Sequence, residues 1–191
     1  MPDLLFIHSA GSQTDGEGSS ALLAHLKQGL SGDYHVIAPV MPDSTQPHYA
    51  TWAAQLATLL PTLNPQAVLV GHSLGGAILL KYLTEAVNGT RPMLNGVYII
   101  AAPYWGADEQ WDVDEFKFRD NTPQLVSIAR KVYFYHSHDD SVVPFNHLTH
   151  YARKFPEATL QAVDDAGHLF MDGDGARLVI ADILSNSTGK L

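Results

Sequence analysis

Val68-Leu69-Val70-Gly71-His72-Ser73-Leu74-Gly75-Gly76 is the stretch on which the reading of this chain turns. An apolar run with strand character leads into Gly-x-Ser-x-Gly, and an apolar helical run, Ala77-Ile78-Leu79-Leu80, follows. Serine on a tight strand-to-helix turn of this kind is the signature of a nucleophile elbow. The turn is so sharp that side chains at Gly71 and Gly75 would meet neighbouring backbone. It would lift the Ser73 hydroxyl to the top of a sheet, at a helix N-terminus whose dipole favours developing negative charge. The bare pattern arises by chance in about one chain in twenty of this size, so its flanks carry the weight. A phosphate-binding turn is the rival. It would need three glycines at other spacings, or Gly-Lys-Ser/Thr, and neither is present.

Outward from this stretch, short apolar runs alternate with helical patterns. Strands are predicted at Leu4–His8, Tyr34–Ala38, Ala67–Val70, Gly96–Ala101, Val132–His136 and Thr159–Val163. Most lack polar alternation, as strands buried on both faces of a parallel sheet do. Leu22, Leu23, Leu26 and Leu30 share one helical face, as do Trp52, Leu56, Leu59, Leu60 and Leu63, and Val179, Ile180, Ile183 and Leu184. Strand-helix repetition with right-handed crossovers gives an α/β fold: a six-stranded parallel sheet, order 2-1-3-4-5-6, with helices on both faces. Ligands of such sheets bind beyond the carboxyl ends of the strands.

A serine needs a base, and the base needs an orienting acid. On this fold the chain order is Ser, Asp/Glu, His. His168 follows the last predicted strand, and Asp139 and Asp140 both follow the strand before it. The oxyanion would be held by the N–H of Leu74 and by an N–H from the loop Ser9-Ala10-Gly11-Ser12, with Ala10 favoured. Residues 103–121 form a long connection, rich in rings (Tyr104, Trp105, Trp111, Phe116, Phe118) and in acids. It reads as a lid or binding loop, with Tyr104, Trp105 and Trp111 as candidate substrate contacts, or else as a surface loop pinned by its aromatics. His136 and His138, beside the two aspartates, invite a metal reading that no third cluster supports. His147 and His150, three apart on a predicted helix, read as solvated, and His72 as packed beneath the turn. Asp172-Gly173-Asp174-Gly175 lacks the ligands of a calcium loop and reads as a turn with a helix N-cap.

The 191 residues suit one domain, residues 1–191, with 46% hydrophobic and 16% charged residues. A net charge of -9 argues against nucleic acid and anionic membrane surfaces. The absence of cysteine removes a thiol nucleophile and Cys-based zinc sites. Met1-Pro2-Asp3 carries no basic leader, and no apolar run approaches a membrane span, so a cytoplasmic location is expected.

Gly71-His72-Ser73, Met41-Pro42-Asp43, Asp139-Asp140-Ser141-Val142-Val143-Pro144 and Ala166-Gly167-His168 together resemble the small serine-hydrolase family of retinoblastoma-binding protein 9 and the bacterial YdeN-type proteins. The resemblance implies a compact α/β-hydrolase fold without a large cap domain. It implies Ser73 as nucleophile, His168 as base and Asp140, four before the proline, as acid. Ser9 departs from it, standing where relatives have glycine. The reaction expected is hydrolysis of a small-molecule ester, thioester or amide, with no cofactor and no metal. A cofactor-free non-hydrolytic enzyme on the same fold, and a binding protein acting through residues 103–121, are the alternatives. Oligomeric state is left open.

Overall fold

The computed structural model describes residues 1–86, 93–119, 122, 124–171 and 173–187. Six parallel strands form one sheet: β1 (Asp3–Ile7), β2 (His35–Ile37), β3 (Val68–His72), β4 (Gly96–Ile100), β5 (Val132–Ser137) and β6 (Thr159–Val163). Their order is β2-β1-β3-β4-β5-β6, the order expected from the sequence. The helices are α1 (Ser20–Gly29), α2 (Tyr49–Leu59), α3 (Leu74–Glu85), α4 (His147–Lys154) and α5 (Gly173–Ser187).

Period-two alternation along the buried strands feeds two cores. Leu5, Ile7, Leu69, Val97, Ile99, Val132 and Phe134 face α2, α3 and α4. Leu4, Phe6, Val68, Val70, Tyr98, Ile100 and Tyr135 face α1 and α5. Both sets are apolar because both sheet faces are covered, so no polar face appears in these strands. The edge strands differ: β2 is three residues long, and most of β6 is exposed or half-buried.

Chain direction across the sheet reverses between β1 and β3, and the loops after these strands meet there. A Cβ on Gly75 would lie 2.1 Å from the His8 carbonyl oxygen, so only glycine lets α3 start against the end of β1. Gly71 is equally constrained, since its Cβ would sit 2.6 Å from the Cα of Gly76. The close contact brings the loop at Ser9 and Ala10 beside the start of α3, at the switch point where open α/β sheets bind ligands.

Candidate active site

Ser73 joins β3 to α3 with φ +52° and ψ -127°, a strained conformation for a residue with a side chain. The Ser73 N–H donates to the Ile100 carbonyl, and the Ser73 carbonyl accepts from Gly76 and Ala77. The backbone around the strain is thus fully committed, which leaves the hydroxyl to the site. Among the described residues no hydrogen bond uses the N–H of Leu74 or of Ala10. Ser9 N–H is committed to Ser19 Oγ at 2.9 Å and Gly11 N–H to Ser44 O at 2.7 Å, which leaves the N–H groups of Ala10 and Ser12 as the unbonded donors of that loop among the described residues.

Ser73, His168 and Asp140, from three separate turns, form one line. Ser73 Oγ lies 3.0 Å from His168 Nε2, and His168 Nδ1 lies 2.9 Å from Asp140 Oδ2. A carboxylate can only accept, so Nδ1 carries the ring proton and Nε2 is left to accept from Ser73. Such a line can take up the serine proton. Asp140 is locked by its own turn, with Oδ1 accepting from Val142 N (2.9 Å) and Val143 N (2.8 Å). His136, buried under it, donates to Val143 O at 2.9 Å and faces Asp140 Oδ2 at 3.3 Å. Burial alone would raise the Asp140 pKa, but hydrogen bonds from His136, His168 and Val143 N–H hold it well below the usual carboxylate range.

The neighbouring Asp139 does something else. It accepts from Ser137 Oγ and from Gly167 N at 2.9 Å, while Ser137 Oγ accepts from Ala166 N at 3.0 Å. Two adjacent carboxylates thus divide the work, Asp140 on the imidazole and Asp139 on the backbone beside it. His138 stacks on Phe145 with ring centroids 3.8 Å apart, and His136 stands edge-on to the same ring at 6.0 Å. Among the described residues no group of three or more His, Asp or Glu side chains is placed to hold a metal ion.

The connection after β4 is pinned by its own aromatic rings. Trp105 meets Trp111 at 5.3 Å and Phe116 at 4.8 Å, and Trp111 stands edge-on to His147 at 5.3 Å. Tyr104 lies apart from that group, over His150, Tyr151 and Phe118. Most of the connection's carboxylates are used locally. Asp108 caps the turn at Glu109–Trp111, Asp112 and Asp114 pair with Lys117, and Glu115 accepts from Tyr49 N and His48. Beneath the connection, buried Lys81 of α3 donates to Glu85 (2.8 Å) and to the Lys117 carbonyl, and Arg119 completes the cluster on Glu85 at 2.9 Å.

His147 corrects the sequence reading. It is fully buried, and its Nδ1 accepts from Tyr104 N at 2.8 Å. Burial, then neighbouring His136, lowers its pKa to about 4. His72 is likewise buried and lowered to about 3, by burial and then by His168. Histidines of the unfolded chain titrate near 6.5, so between that pH and about 4 the unfolded state binds more protons than the folded state. The contribution of these two residues is therefore complete above about pH 6.5 and is lost as pH falls below it. Asp140 adds nothing to that loss, since its folded pKa is depressed and its contribution fails only below about pH 4. Urea midpoints are expected to fall between pH 7.5 and pH 4.5, and His147→Gln is expected to flatten the slope. Asp172 lies outside the described residues, as do residues 120 and 121 of the connection after β4. Ser19 and Ser137 escaped the sequence reading, because short polar side chains that bond across tens of residues leave no periodic trace.

The chain is similar to known proteins in sequence and in fold. YdeN of Bacillus subtilis (strain 168) is 27% identical over 152 residues, 78% of each chain. Its crystal structure superposes with a TM-score of 0.79 at 23% identity, covering 98% of this chain and all of that one. A serine hydrolase from the polyaromatic-hydrocarbon-degrading bacterium Cycloclasticus zankles superposes at 0.74, with 14% identity over all of this chain and 92% of its own. The family model described as serine hydrolase matches residues 23–178, and with that match this α/β-hydrolase chain belongs to the serine hydrolase family.

Proposed function

We propose that this hydrolase cleaves small, uncharged ester, thioester or amide substrates by acyl transfer to water through Ser73. The observation that carries the reading is the unbroken line Ser73 Oγ–His168–Asp140, with contacts of 3.0 and 2.9 Å. Ser73 Oγ attacks the acyl carbon as its proton passes to His168 Nε2. The oxyanion forms toward the N–H groups of Leu74 and Ala10, and the imidazolium is stabilised by Asp140. Collapse of the intermediate breaks the bond to the leaving group, which takes the proton from His168. Water then attacks the acyl-enzyme with His168 again as base, releasing the acid and the free Ser73 hydroxyl. No step asks for a cofactor.

Substrate size and charge follow from reading residues 103–119 as a lid. Its rings offer apolar surface for an uncharged substrate. The net charge of -9 still disfavours anionic substrates. The test is a panel of neutral esters of rising acyl length beside anionic analogues, run on wild type and Ser73→Ala. The specificity constant is expected to fall beyond short acyl chains and to be lower for anionic esters. Trp105→Ala and Trp111→Ala are expected to raise KM by about 3- to 10-fold with kcat little changed, the mark of lost uniform binding. Efficient turnover of long-chain or phosphate-bearing esters would refute the substrate class and leave the reaction standing.

A further inference from the structure

Behind Ser73 runs a buried polar chain that the acyl-transfer steps do not use. Ser9, Ser19 and His72 are all shielded from solvent. His72 Nε2 lies 2.8 Å from the His168 carbonyl, and His72 Nδ1 lies 2.7 Å from Ser19 Oγ. Ser19 Oγ in turn lies 3.0 Å from Ser9 Oγ and 2.9 Å from Ser9 N. One end of this chain fixes every proton in it. A carbonyl can only accept, so His72 Nε2 must carry the hydrogen. Nδ1 is then the acceptor, and Ser19 must donate to it. Having spent its hydrogen, Ser19 Oγ accepts from Ser9 N–H. Every polar atom of His72 and the hydroxyl of Ser19 are thereby satisfied in a single arrangement.

The chain ends on the backbone of the residue that carries the imidazole. Its counterpart is the pair of bonds from Asp139 and Ser137 to Gly167 N and Ala166 N. The carbonyl of His168 is thus held from the side of Ser73, and the two preceding amides from the side of Asp140. Two of the three holders are covalent neighbours of reacting residues: His72 precedes Ser73, and Asp139 precedes Asp140. The 3.0 Å between Ser73 Oγ and His168 Nε2 is closed into a ring through His72, made of covalent bonds and one hydrogen bond.

We propose that Ser19 and His72 are positioning residues for His168, a relay that sets the Ser73–His168 distance through the His168 carbonyl. The proposal rests on the reading of His168 as general base. His72 must be neutral for the relay to work. A second cation there would lose the acceptor that orients Ser19 and would oppose the imidazolium formed on His168. The pKa of His72, lowered by burial and by His168, supports that state.

The test is steady-state kinetics with a short neutral ester, together with the rate of fluorophosphonate labelling, on His72→Leu, His72→Gln, Ser19→Ala and the double variant His72→Leu/Ser19→Ala. Loosening a base by a fraction of an ångström costs up to about 100-fold, so His72→Leu is expected to lose about 10- to 100-fold in kcat with KM within about 2-fold. Labelling should slow in parallel. Glutamine can donate to the carbonyl and accept from Ser19, and it is expected to recover most of the loss. Ser19→Ala should cost about 3- to 10-fold alone and nothing further in the His72→Leu background, because the relay acts as a unit. A filling or stability role would move neither the labelling rate nor the glutamine rescue. The proposal is overturned if kcat of His72→Leu stays within about 3-fold of wild type, or if the two losses multiply. If His72→Leu does not fold, Ser19→Ala with unchanged kcat overturns it equally. Failure of the underlying reading looks different, since Ser73→Ala would then retain activity.

Discussion

Ser73→Ala is expected to lower kcat by about 1,000-fold or more, His168→Ala by a similar factor, and the double variant by little beyond either. The non-additivity follows from the geometry. With Ser73 Oγ 3.0 Å from His168 Nε2, the imidazole has no use once the hydroxyl is gone, and the hydroxyl is a poor nucleophile without the imidazole. The residual rate should come from the free N–H groups of Leu74 and Ala10 and from substrate binding. A fluorophosphonate reports the same unit directly, and mass spectrometry should find one adduct, on Ser73. An unmodified protein, or an adduct on another residue, would sink the assignment.

The second large effect separates two neighbours. Asp140→Asn is expected to reduce kcat by up to about 10,000-fold with the fold intact, because an amide facing His168 Nδ1 favours the wrong imidazole tautomer. The side chain of Asp140 is fully buried, and its Oδ1 also ties down Val142 and Val143, bonds an asparagine oxygen can keep. Asp139→Asn should cost about 10-fold or less, since Asp139 touches the loop backbone at Gly167 and no part of the ring. A circular dichroism spectrum and a melting curve on both variants would separate chemistry from unfolding. The larger loss at Asp139 would reverse the two roles.

Much of this could be read from the chain, and the reason is physical. Strands buried on both faces are dense in Val, Ile, Leu and Tyr, so β1, β3, β4 and β5 announce themselves, and a parallel sheet follows from the helices between them. Gly71 and Gly75 are legible because steric exclusion at a sharp turn leaves glycine no substitute. Chain order leaves Asp139 and Asp140 both open, and the resemblance favours Asp140 by its place four before the proline. The physical distinction is that Asp140 is the carboxylate its own turn locks against Val142 and Val143. His147 misled because it occupies the same buried face as Leu148 and Tyr151, and a histidine there imitates a solvated residue until its partner, the Tyr104 amide, is seen. In the fold the acids of residues 103–119 cap turns and pair with Lys117. Charges spent on local neighbours look the same in a sequence as charges left free.

The cluster beneath the connection after β4 bears on how new specificities could be built. Lys81 and Glu85 belong to the same helix that begins at Ser73, yet two of their partners, the Lys117 carbonyl and Arg119, belong to that connection. The connection is therefore no detachable cassette. A chimaera that replaced residues 103–119 alone would strip cover from an ammonium and a carboxylate on the very helix that presents the serine. A transplant that respects the seam would exchange Lys81 and Glu85 together with the connection, treating the helix face and the loop above it as one inherited piece.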